Sequence, residues 1–152
     1  MDRLLWRDGE LCAWESATIS SLAHPMQRGA LVFHDTPVGV AVFRLREHVD
    51  RFLRSLALIG MKSPYSAEQL CEATCSTVAS TGLAEGLIRI SGFVPSIEAD
   101  VVPCSSEVSV VIAAYARAET MAREIVTEAA AVRVEALATL AEVWETEEKN
   151  HG

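Results

Sequence analysis

The sequence has 152 residues, 50% of them hydrophobic and 22% charged, enough for one domain that buries roughly two-thirds of its unfolded surface. Its 13 Lys and Arg residues against 21 Asp and Glu leave a net charge of −8, which argues against nucleic acid or an anionic membrane as the main partner. No run approaches the roughly 18 apolar residues of a membrane span, and Arg7 and Asp8 come too early for a secretory leader, so a cytoplasmic protein is expected. Cys12, Cys71, Cys75 and Cys104 show no CxxC spacing, so reduced, mostly buried thiols are expected and no metal site.

In chain order, Leu4-Leu5-Trp6 and Leu11-Cys12-Ala13-Trp14 flank the turn dipeptide Asp8-Gly9 and predict a β-hairpin. A second hairpin is expected from Ala30–Phe33 to Val40–Phe43, joined through Asp35-Thr36-Pro37-Val38-Gly39. From Leu45 the spacing of Val49, Phe52, Leu53, Leu56 and Ile59 is helical, and Gly60 closes that helix. Ser66 and Gln69 form a capping-box pattern ahead of a helix through about Ser80, with Gly82 as its C-terminal glycine. Strands follow at Leu87–Phe93 and Val108–Ala114, separated by the long loop Val94–Glu107.

From Ala116 to about Glu147 the chain lacks Gly and Pro and reads as a long helix. Its apolar positions Met121, Ile125, Ala129, Val132, Ala136, Leu140 and Val143 step by three and four in an eleven-residue pattern. That stripe, extended to Trp144, exceeds what one small domain covers, so a homodimer through this helix is expected. The expected organisation is a domain over 1–115 and a long amphipathic helix with a frayed tail over 116–152. The fold class is α/β: an antiparallel-dominated sheet of about six strands with two helices on one face.

The stretch from Trp6 to Arg89 resembles the small N-terminal domain of the branched-chain aminotransferases, the class IV fold of pyridoxal-phosphate enzymes. The resemblance is carried by Trp6-Arg7-Asp8-Gly9-Glu10-Leu11, Trp14-Glu15-Ser16-Ala17, His24 ahead of Gly29, Val32-Phe33, Val42-Phe43-Arg44-Leu45-Arg46-Glu47-His48-Val49-Asp50-Arg51, Ser63-Pro64-Tyr65-Ser66, Gly82-Leu83 and Ile88-Arg89. Val110–Tyr115 matches the last strand of that domain, and the motif resemblance ends there. It implies that Arg51 corresponds to the arginine holding the cofactor phosphate and Arg89 to one facing the substrate. It also implies a further domain, with the lysine that holds the cofactor, beyond the end of this sequence. Of the lysines here, neither Lys62 nor Lys149 lies in that context, so no cofactor and no transamination by this sequence alone are expected.

Where the family has a Glu-Gly-Ile-Arg-aromatic-Tyr run after Val-Phe, only His34 stands between Phe33 and Asp35, and Arg28 and Leu87 replace tyrosines. The specificity of a branched-chain pocket is therefore not carried over. His34 is the candidate for general acid–base work, since an imidazole titrates near neutrality, although Asp35 beside it points to the other face. Arg51 offers a fork for phosphate or carboxylate, the bland alternative being a solvated face or a pair with Asp50 or Glu47. Arg89 lies in an apolar strand and requires a ligand or an ion partner such as Glu10 or Glu98. His24 and His48 are expected to be structural.

Arg28, His34 and Arg89 are expected to converge on a substrate site between the Phe33–Val42 hairpin and the Leu87–Phe93 strand, with Val94–Glu107 as lid. Three functions are compatible with these residues. The first is a divergent stand-alone domain that binds or transforms a small organic molecule in a biosynthetic pathway without pyridoxal phosphate. The second is a non-catalytic scaffold acting through the C-terminal helix. The third is one half of a split transaminase.

Overall fold

A computed structural model describes residues 3–97, 100, 102, 105 and 107–116. The chain divides into two units, Met1–Arg117 and Ala118–Gly152, and every described residue belongs to the first. The apolar stripe from Met121 to Trp144, the helix expected to carry it and the dimer expected from it lie outside the described residues, as do Cys104 and parts of the 94–107 segment.

Strands β1 (Leu4–Arg7) and β2 (Glu10–Ala13) form the first hairpin as expected. Asp8 and Gly9 both take positive φ, 48° and 110°, and the glycine meets that demand without a Cβ penalty. The Asp8 carboxylate accepts from the Val110 backbone N–H at 2.7 Å and the Ser109 hydroxyl at 2.5 Å, tying the turn to the last strand. A 3₁₀ turn at Trp14–Ser16 and a short helix α1 (His24–Arg28), started by Pro25 and closed by Gly29, lead to β3 (Leu31–Val38).

The second expected hairpin is corrected. β3 runs through His34, Asp35, Thr36 and Pro37, and Val40–Phe43 forms a turn held by one bridge, Val38 to Val42. The cause is non-local: the whole of β3 pairs with β4 (Gly86–Phe93), from Leu31 opposite Phe93 to Val38 opposite Gly86. Pro37 is tolerated because β3 is an edge strand.

Helices α2 (Leu45–Leu58) and α3 (Ala67–Thr81) follow the sequence expectation closely. The Ser66 hydroxyl accepts from the Gln69 N–H while the Gln69 side chain accepts from the Ser66 N–H, and Gly82 ends α3 in the left-handed region. β5 (Ser109–Ala116) pairs with both β4 and β1, giving an antiparallel five-stranded sheet in the order β2-β1-β5-β4-β3. The strand count is five where about six were expected, because Val40–Phe43 contributes none.

Only one face of this sheet is covered by α2 and α3. Val49, Phe52 and Leu56 of α2 and Leu70 of α3, all fully buried, pack with Ile88, Ile90, Val110 and Ile112. A Cβ on Gly92 would sit 3.0 Å from both Leu56 Cδ2 and Phe52 Cζ, so the absence of a side chain there lets α2 approach β4. On the opposite face Leu31 and Phe33 are exposed, and a shallow cleft of about 240 Å³ is lined by Arg7, Ile19, Met26, Leu31, Phe93 and Val111, among others.

Two substitutions test this packing. Gly92→Val should destabilise the domain by about 2 kcal/mol through overpacking against Phe52 and Leu56. Ser66→Ala should cost about 1 kcal/mol through loss of the cap. Both are read from urea denaturation midpoints, and an unchanged midpoint for Gly92→Val would mean that α2 does not seat on this glycine.

Candidate functional site

Strand alternation sorts the candidate residues onto opposite faces. In β3 the even positions His34, Thr36 and Val38 face the helices, and the odd positions Phe33 and Asp35 face away. Arg89 of β4 stands directly opposite Asp35 in the ladder. Its Nε donates to Asp35 Oδ1 at 2.7 Å and its Nη2 to Asp35 Oδ2 at 2.8 Å, a bidentate pair. The guanidinium carbon also lies 4.7 Å from the Phe33 ring centroid and 5.8 Å from that of Tyr115. The hydrogen bonds that Arg89 donates to Asp35 push its pKa further up, against the opposing effect of burial.

The expected convergence of Arg28, His34 and Arg89 is therefore corrected. His34 points toward α2, its Nε2 3.1 Å from Ser55 Oγ and its ring edge-on to Phe52, on the other side of the sheet from Arg89. Arg28 is exposed at the end of α1, its Nη1 donating to the Gln27 carbonyl at 3.4 Å. The start of β3 that follows it lies about 13 Å from Asp35 at the usual rise per residue. Asp35, rather than Glu10, is the ion partner of Arg89. Ring packing and strand register set where His34 and Arg89 point, on opposite faces of the sheet.

A second grouping is assembled by α2. A cleft of about 250 Å³ is lined by Phe43, Arg44, Glu47, His48, Arg51 and Arg54. Arg44 has left-handed backbone (φ 45°), and its guanidinium is tied to Glu47, with Nε donating to Oε1 at 2.7 Å. Arg46, on a different face, pairs with Asp50 and Glu68. Arg51 meets neither Asp50 nor Glu47; its Nη2 lies 3.1 Å from His48 Nδ1. Among the described residues no carboxylate engages Arg51 or Arg54, so this shoulder of α2 is locally cationic in a protein of net charge −8.

Both histidines near this cleft have lowered pKa values. For His34 the main cause is burial, followed by the charges of Arg51 and His48, with Asp35 opposing. For His48 it is burial, then Arg51, with Glu47 opposing. Both shifts favour the neutral imidazole. His24, by contrast, is buried, with neither ring nitrogen hydrogen-bonded. The cysteines depart from expectation in part: Cys71 is half-buried with its thiol pKa pushed up by burial, but Cys75 is exposed. No cluster of three metal-ligating side chains exists among the described residues.

The fold just described is that of the small domain of branched-chain aminotransferases. The structure superimposes on the enzyme from Thermoproteus uzoniensis, solved with norvaline, with a TM-score of 0.71 and 31% identity over 76% of this chain and 41% of that one. It superimposes on the enzyme from Escherichia coli with a TM-score of 0.71 and 28% identity, again over 76% of this chain and 41% of that one. In sequence it is 35% identical to the branched-chain-amino-acid aminotransferase of Pseudomonas aeruginosa over 137 residues, 87% of this chain and 45% of that protein. The sequence pattern of amino-transferase class IV matches residues 37–145. The chain belongs to the class IV aminotransferase family, and it spans less than half the length of the curated relatives it matches. The match continues to residue 145, beyond Tyr115, where the motif resemblance ends.

Sequence reasoning missed Asp35 as the partner of Arg89 and gave no role to Ser55 or Arg54. The first was accessible only from the β3–β4 register. A double-mutant cycle with Asp35→Asn and Arg89→Ala should give a coupling of about 1 kcal/mol, as both side chains remain partly exposed. The depressed histidine pKa values give a second expectation. A group whose pKa is lowered below 6.5 on folding loses stabilisation as pH falls through that region, so the ligand-free domain should gain stability between pH 5.5 and 7. His34→Gln should flatten that slope in thermal melts; an identical slope would remove His34 from the account.

Proposed function

We infer that this chain is a divergent class IV small domain that binds a small organic anion, bearing phosphate or carboxylate, in the α2 cleft, and that it does not itself carry out pyridoxal-phosphate-dependent transamination. One contrast supports this reading. Arg89, at the position that faces substrate in the family the chain resembles, is already engaged by the Asp35 carboxylate through its Nε and Nη2 donors. Arg51 and Arg54 have no carboxylate partner among the described residues and line an open cleft. A guanidinium offers a bidentate fork to a phosphate or carboxylate, and a charge-assisted hydrogen bond of this kind contributes roughly 1.5–3 kcal/mol.

The family cofactor would place two demands on the chain. Its phosphate needs cationic donors, and Arg51 and Arg54 meet that need, with His48 beside them. Its covalent attachment needs an amine, and among the described residues no lysine lines the cleft; Lys62 is exposed beyond the C-terminal end of α2. The residues fit the phosphate and not the attachment.

Calorimetric or NMR titration with pyridoxal phosphate and with a short 2-oxo acid tests the reading. Arg51→Ala should weaken binding at least tenfold, while Arg89→Ala should lower the melting temperature and leave affinity within about twofold. Loss of binding in Arg89→Ala alone would move the ligand to the open face of the sheet, and transamination by the purified chain would refute the second half of the inference.

A further inference from the structure

The contact between Arg51 and His48 restricts the protonation state of the cleft. A guanidinium has donors and no acceptor, so at 3.1 Å from Arg51 Nη2 the His48 Nδ1 must be the acceptor. In this arrangement His48 is therefore neutral, with its proton on Nε2, and it occupies a donor of the arginine best placed for an anion. We propose that the α2 cleft takes up a proton together with its anion: His48 is protonated at Nδ1, releases Arg51, and both cations turn their N–H groups on the bound group. This rests on the reading of the cleft as an anion site and names its control.

The surroundings support the coupling. From α2 the cleft receives Arg44, Glu47, Arg51 and Arg54. Glu47, its one carboxylate, is engaged by Arg44. From β3, His34 stands behind Arg51, hydrogen-bonded to Ser55, while Asp35 points to the other face and is bound to Arg89. An imidazolium at position 48 thus meets cations without a free carboxylate, which disfavours it until a dianion arrives. The anion and the proton stabilise one another, and thermodynamic linkage requires the affinity to rise as pH falls. The Ser55 hydroxyl can donate or accept, so the His34–Ser55 contact imposes no such condition on His34.

Sulfate is the probe of choice because its charge does not change between pH 5.5 and 7.5, so any proton taken up belongs to the protein. NMR titration should show sulfate binding about tenfold more tightly at pH 5.5 than at pH 7.5, with the Hε1 resonance of His48 titrating at higher pH when sulfate is present. His48→Asn keeps an acceptor for Arg51 but cannot be protonated; it should bind sulfate with the same affinity at both pH values. His34→Gln should retain the pH dependence of the parent. Sulfate binding of equal strength at both pH values in the unmodified chain would overturn the coupling and leave the anion site standing. A pH dependence that persists in His48→Asn would likewise overturn it. Absence of sulfate binding across the whole range would overturn both the coupling and the anion reading of the cleft.

Discussion

Gly92 is where the helical layer meets the sheet. Because it has no side chain, Phe52 and Leu56 of α2 rest against the β4 backbone, and their seating fixes the rotation of that helix. With Val49, Phe52 and Leu56 turned inward, residues spaced three and four along one shoulder, Arg44, His48, Arg51 and Ser55, come to line the edge beside β3. The cationic cleft is thus a by-product of core packing. Any residue at position 92 that pushed α2 outward would move every donor in the cleft at once.

The same sheet separates two kinds of electrostatics. Alternation along β3 sends His34 to the helix side and Asp35 to the open side, although the two are neighbours in sequence. On the open side opposite charges meet across a strand pair and cancel. On the helix side arginines at one shoulder outnumber the carboxylates within reach, because Glu47 is taken by Arg44, and Asp50 and Glu68 by Arg46. A protein of net charge −8 thus presents a local positive potential on this shoulder, where the nearby carboxylates are already engaged.

What could be read in the sequence was whatever local interactions decide. The Asp8-Gly9 turn, the Ser66–Gln69 capping box and the Gly82 stop each depend on a few consecutive residues, and each is found where the pattern places it. The Pro37 and Gly39 signals misled because a ladder with β4 overrides a local turn preference, and nothing near Pro37 in sequence reveals that partner. The site divides along the same line. Arg51 was legible through its motif, whereas the pairing of Arg89 with Asp35 depends on register across a sequence separation of 54 residues. The acceptor role of His48 depends on a side-chain contact that no spacing rule specifies, even though positions 48 and 51 are helix neighbours.

One strand carries both the family fold and the ion pair that engages Arg89. The run after Phe33 is shorter than in the family it resembles, and the residue it brings opposite Arg89 is a carboxylate. An organic acid that used the Nε–Nη2 edge of Arg89 would have to open the bidentate pair, and Asp35 would then remain beside the incoming charge as a like-charged neighbour. Both effects act against the anion, and neither requires any change in the fold. The register that preserves the sheet is the register that sets a carboxylate on this arginine. Selection for anion binding on such a scaffold would have to act on the shoulder of α2, where the donors are not yet matched.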